Sequence, residues 1–140
     1  MPFPKEISVS TDKSKLDLKT IHAFLTQSYW GKDRTLEQVQ KTIENSMCFG
    51  IYLNEEQIGF ARVLSDTIIF AYLMDVFILE KYRGNGYSKI LLTKILDNPE
   101  LKDVNKCFLA TRDTHKLYQQ FGFKEITHPE IYMDRVRKII

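Results

Sequence analysis

Asp75-Val76-Phe77-Ile78-Leu79-Glu80-Lys81-Tyr82-Arg83-Gly84-Asn85-Gly86-Tyr87-Ser88 decides how this chain is read. An apolar run of β character, Tyr72 to Leu79, feeds a short basic loop that holds Gly84 and Gly86. The loop opens straight into Lys89–Leu96, whose apolar residues recur at helical spacing. A strand, a glycine-bearing turn and a helix start together suit a pyrophosphate. Glycine lets backbone N–H groups approach the oxygens, and the helix N-terminus adds unpaired donors and a positive dipole. Arg83 places a permanent cation at the same point. No Gly-Lys-Ser/Thr follows the glycines and no third glycine closes the turn, so neither common nucleotide loop is matched.

The segment Arg83-Gly84-Asn85-Gly86-Tyr87-Ser88 resembles the Arg/Gln-x-x-Gly-x-Gly/Ala loop of the GNAT superfamily of acyl-CoA-dependent N-acetyltransferases. Ser88 departs from it where Gly or Ala is usual. Downstream, Leu117-Tyr118-Gln119-Gln120-Phe121-Gly122-Phe123 is similar to the Leu-Tyr-x-x-x-Gly-Phe segment of the same superfamily. It has a local physical reading as well. Leu117 and Phe121 share a helix face, Gly122 suits a left-handed position past the helix end, and Phe123 opens a strand. Tyr118 stands one position off that stripe, free to point elsewhere.

Length and composition agree with one domain, residues 1–140, long enough for a real core. A net charge of +2 is too small to imply nucleic acid, and no run reaches membrane-spanning length. Met1–Lys5 lacks the apolar core of a signal peptide. Cys48 and Cys107 are isolated in apolar runs without metal-ligand spacing, which reads as reduced core thiols in a cytoplasmic protein that needs no metal.

Along the chain, Ile7 and Val9 alternate as a strand, and Leu18, Ile21, Phe24 and Leu25 have helical spacing. Thr35-Leu36-Glu37-Gln38 fits a capping box. Cys48–Leu53 and Ile58–Leu64 read as a hairpin, followed by a long strand Ile68–Leu79. Beyond the glycine loop come a third helix, a strand Lys106–Thr111, a helix Thr114–Phe121 and closing strands Lys124–Thr127 and Ile131–Asp134. The resemblance implies an α/β domain with a mixed, mostly antiparallel sheet and helices on both faces.

It also implies acetyl transfer from acetyl-CoA to a primary amine of a small molecule or peptide, with no nucleic acid or membrane partner and a homodimer by analogy. Cofactor contacts fall on Arg83–Ser88 (Arg83, Gly84, Asn85, Gly86, Tyr87, Ser88) and on the backbone of Val76, Phe77 and Ile78, pairing like an added strand. A backbone N–H there can serve the thioester oxygen. Tyr118 is the implied general acid, because a phenol with pKa near ~10 stays protonated at neutral pH. Asp75, the only carboxylate in the apolar stretch, either serves the acceptor amine or pairs with Arg62 or Arg112 as a structural ion pair. Many relatives carry a glutamate where Met74 stands, and an asparagine where Thr111 stands. Tyr29, Trp30 and Arg62 are the acceptor-side candidates, with Trp30 the only tryptophan and Asp66 a further neighbour. A non-catalytic acyl-CoA-binding module is the alternative that would keep the loop and not need Tyr118.

Overall fold

The computed structural model describes residues 6–137. Its centre is a sheet in sequential order, β1 (Ile7–Ser10), β2 (Met47–Leu53), β3 (Glu56–Ser65), β4 (Phe70–Ile78) and β5 (Lys106–Phe108). The first four strands run antiparallel and β5 joins β4 in parallel. Short connections explain the antiparallel part. Asn54 and Glu55 both take positive φ, the geometry of a two-residue hairpin turn whose twist matches the strands. Asp66 Oδ1 accepts from the N–H groups of Ile68, Ile69 and Phe70 at 2.8–3.1 Å and so turns β3 into β4.

Helices cover both faces because strand side chains alternate between them. On one face lie α1 (Leu18–Thr26) and α2 (Leu36–Glu44), which bury Ile21, Leu25, Val39 and Ile43 against Cys48, Phe60 and Phe77. On the other, α3 (Tyr87–Leu96) buries Leu91, Leu92 and Ile95 against Phe49, Ile51, Val63, Ala71 and Leu73. Each such side chain contributes about 1.5–3 kcal/mol on leaving water, so α3 is tied down beneath the glycine loop. The expected capping box forms in full, with Gln38 N–H donating to Thr35 Oγ1 and Thr35 N–H to Gln38 Oε1. Asp17 caps α1 by accepting from Thr20 N–H at Oδ1, without the reciprocal bond.

Three departures from the expected elements matter for the site. The long strand begins at Phe70 rather than Ile68, and the fifth strand stops at Phe108. Neither closing strand forms. After α4 (His115–Gln119), Gly122 takes φ +89° and Phe123 N–H donates back to Tyr118 O, so Phe123 folds onto the helix and starts no strand. His128 at φ +60° and Pro129 then open a short 3₁₀ turn between the two stretches expected to be strands. Residues 124–134 are exposed throughout, and alternation alone supplies no neighbouring backbone to pair with.

β4 is the pivot of the architecture. Its register on β3 slips between Phe60 and Arg62, which puts Asp75 and Val76 opposite the single residue Ala61. Asp75 itself takes φ +53°, a left-handed conformation that Asp tolerates better than most residues. The bulge bends the strand. Pairing with β5 lasts only from Phe70 to Tyr72, so the β4 edge beyond Tyr72 carries no partner strand among the described residues.

Candidate active site

The open edge of β4 leads directly to the glycine loop. A 3₁₀ turn over Glu80–Tyr82 carries the chain to Arg83, and Arg83 Nε donates to Ile78 O at 3.0 Å, fastening the loop to the strand. Gly84 and Gly86 take φ +80° and +79°, and Gly86 is the N-cap of α3 with no side chain closing it. The first α-helical bond runs from Ile90 N–H to Gly86 O. Backbone N–H groups from Gly84 through Lys89 therefore meet no acceptor among the described residues. A methyl group built on Gly84 or Gly86 would meet nothing within 4 Å. Open space faced by a run of free donors, at a helix start beside an arginine, fits a pyrophosphate. Asn85 turns inward, its Nδ2 donating to Tyr82 O and Arg83 O, so it shapes the loop.

Tyr118 turns inward from its helix. It is 8% exposed and packs in the same core cluster as Leu73 and Ile78 of β4, with Phe123 set edge-on at 5.9 Å. Burial, with a smaller contribution from the Tyr29 phenol, pushes its hydroxyl up to about 12. The group holds its proton across the whole physiological range. A cavity of about 870 Å³ borders it, between β5, α4 and residues 121–129.

The end of α1 and the loop that follows it carry an aromatic row. Phe24 stacks on Phe77 of β4 at 4.0 Å, Trp30 follows Phe24 at 6.2 Å, and Tyr29 sits edge-on to Trp30 at 5.1 Å. The Arg112 guanidinium lies 4.1 Å over the Tyr29 ring, and Arg112 N–H donates to Tyr29 Oη at 3.3 Å. The cover thus bridges from β4 to the connection that precedes Tyr118.

Asp75 sits under that cover as the anion of a buried cluster. Its Oδ2 accepts from Arg34 Nη1 at 2.7 Å and Arg62 Nε at 2.6 Å, and its Oδ1 accepts from Trp30 Nε1 at 2.9 Å. Arg62 Nη1 continues to Ser46 Oγ at 3.1 Å. Of the two arginines weighed as partners, Arg62 is the one used, while Arg112 stacks on Tyr29. Sequence reading missed Arg34 and His22, whose Nε2 lies 3.0 Å from Arg34 O and fixes the end of the loop. The signal for Arg34 was its place on the same loop as Trp30, opposite a strand carboxylate in need of a cation.

Other candidates fall elsewhere. Asp66 is spent on its turn and does not reach the cluster. Thr111 Oγ1 accepts from Thr114 N–H, which holds the entry to α4. Cys48 is fully buried with its thiol pushed up to about 11 by desolvation, and half-buried Cys107 is raised for the same reason. No helix among the described residues is long and apolar enough to cross a membrane.

Comparison with known proteins agrees with this geometry. The profile of the acetyltransferase (GNAT) family matches residues 17–123. The crystal structure of a GNAT-family protein from Xanthomonas campestris pv. campestris superposes with a TM-score of 0.91 at 44% identity, covering 94% of this chain and 93% of that one. The uncharacterized N-acetyltransferase ycf52 of Gracilaria tenuistipitata var. liui is 33% identical over 103 residues, 69% of this chain and 56% of its own length. Aminoglycoside N-acetyltransferase AAC(6')-Iy, solved in complex with CoA, shares the fold with a TM-score of 0.72 at 16% identity, covering 99% of both chains. The chain belongs to the GNAT family, whose members are acetyl-CoA-dependent N-acetyltransferases.

Proposed function

We propose that this protein moves an acetyl group from acetyl-CoA to a primary amine by direct attack, with Tyr118 as the general acid. The observation that carries the proposal is the run of free amides from Gly84 to Lys89, continuous with an unpaired β4 edge. The amides of this run and Arg83 hold the pyrophosphate, and the backbone of Val76, Phe77 and Ile78 pairs with the pantetheine arm. Bound acetyl-CoA supplies the acetyl thioester. An N–H of the bulged strand donates to the thioester oxygen as the amine nitrogen bonds to its carbon. Tyr118 gives its proton to the departing sulfur as the C–S bond breaks, and the amine gives up its own proton to water.

Asp75 takes the structural half of its two readings. Three donors already occupy its oxygens, so it anchors the cover rather than collecting the amine's proton. Tyr29 and Trp30 form the wall of the acceptor site, and Arg62 contributes from beneath. The exposed Ile131, Val136 and Met133, the last 96% exposed, support the homodimer expected by analogy. The two reduced thiols suit a cytoplasmic setting.

Calorimetric titration with CoA, followed by thiol release from acetyl-CoA across an amine panel, tests the proposal. Binding with amine-dependent release is expected. Folded protein that ignores CoA would overturn it, and tight CoA binding with no release by any amine would favour a non-catalytic binding module.

A further inference from the structure

Within the cover, the charges do not balance. Arg34 and Arg62 share the single carboxylate of Asp75, and all three side chains are nine-tenths buried or more. Arg34 spends only Nη1, on Asp75; its Nε and Nη2 meet no acceptor among the described residues. Arg62 likewise keeps Nη2 free after bonding Asp75 and Ser46. These spare donors are not sealed in, because Tyr52 Oη is the only described side-chain polar atom that is fully buried without a partner. A buried pair of cations with one anion is an incomplete set, and an outside anion completes it.

Geometry narrows what that anion is. Nε and Nη2 of one guanidinium form a side-on fork, the edge that receives two oxygens of a carboxylate or phosphate in parallel. Arg34 presents that edge while Nη1 is pinned, and its backbone is held by His22 at one side and by the capping box of Thr35 at the other. The fork is therefore pre-positioned. It sits beside Trp30 and over the bulge at Asp75, one residue before the strand segment assigned to the pantetheine arm.

We infer that the acceptor is an amine that carries an anionic group, a carboxylate or a phosphate, gripped by the free fork of Arg34. The inference rests on the acetyltransferase reading above and adds the substrate class to it. It assigns Arg34, rather than any residue of the glycine loop, as the determinant of acceptor choice.

The test uses Trp30 as its reporter, since this sole tryptophan donates to Asp75 within the cluster. Protein saturated with CoA, so that the glycine loop is occupied, is titrated with inorganic phosphate and separately with acetate while Trp30 fluorescence is followed. A saturable response is expected, weakened at least tenfold in Arg34→Gln and by an intermediate amount in Arg34→Lys, which keeps the charge and loses the fork. In parallel, kcat/KM is compared within matched pairs, phosphoethanolamine against ethanolamine and phenylalanine against phenylalaninamide. The anionic member of the preferred pair should win by about tenfold or more, through KM, and Arg34→Gln should erase the difference; the pair that responds separates phosphate from carboxylate. Absence of a saturable anion response in the native chain, or an equal one in Arg34→Gln, overturns the inference whether or not any amine turns over. Failure to bind CoA would instead sink the acetyltransferase reading, and the same titration on Gly86→Asn, whose loop is blocked, still judges Arg34.

Discussion

A buried carboxylate shared by two guanidinium groups is a heavy commitment for a single side chain. Asp75→Asn would leave Arg34 and Arg62 facing a neutral amide, and removal of one partner from a buried pair costs about 3–5 kcal/mol. Urea unfolding of that variant should show the loss, while CoA affinity, which rests on backbone donors elsewhere, should change little. A loss under about 1 kcal/mol would mean that water already screens the cluster. Tyr118 poses the opposite problem, a neutral group that must stay neutral. Tyr118→Phe should lower turnover by about 10²–10⁴-fold at nearly constant CoA affinity. With the hydroxyl raised from 10.0 to about 12, the acid form persists through alkaline pH, so the rate should climb with the neutral amine and not fall on Tyr118's account. The same shift has a stability sign. Between about 10 and about 12 the unfolded chain has lost this proton and the folded chain has kept it, so stability falls as pH rises through that window. Tyr118→Phe should flatten part of that fall in alkaline melts.

At the level of elements, the strand–loop–helix unit was legible in sequence because each of its parts is local. Glycines set the turn, apolar spacing set the helix, and nothing distant was needed. Gly86 can be tested for the two demands it meets together, a positive φ and an empty space. Gly86→Asn tolerates the backbone conformation yet fills the space, so it should stay folded and lose CoA affinity by about tenfold or more in calorimetry; Gly86→Val adds backbone strain and should also melt earlier. What the sequence did not disclose is uniformly non-local. Arg34 meets Asp75 across 41 residues of chain, and no periodicity reports on such a meeting. The bulge at Asp75 depends on a register slip against β3. Closing strands were expected from alternation alone, yet the backbone of 124–134 folds back through Phe123 and turns at Pro129, where pairing would have required a partner. Tyr118 was placed on the right helix, and its burial was not legible there, because burial is decided by what packs on it.

For the molecule as a whole, the cofactor in the proposed pose would bridge β4 and α3, so its binding should register as global stability. At a free CoA concentration one hundred times Kd, linkage gives about 2.7 kcal/mol, visible as a rise of several degrees in Tm; no rise at that concentration would contradict a single folded unit built around the site. Light scattering with Met133→Glu addresses assembly: a native dimer that becomes monomeric is expected, and an unchanged size would remove the exposed row from the interface. The two cysteines, finally, bear on how such an enzyme is watched. Product CoA carries a free thiol, and the usual colour reaction for thiols also attacks protein cysteines. Cys48 is sealed in the core and Cys107 is half-covered, both with their thiols held in the unreactive protonated form. The native fold therefore keeps its own signal low, and a surge of colour without acceptor would announce unfolding, giving each assay a built-in integrity check.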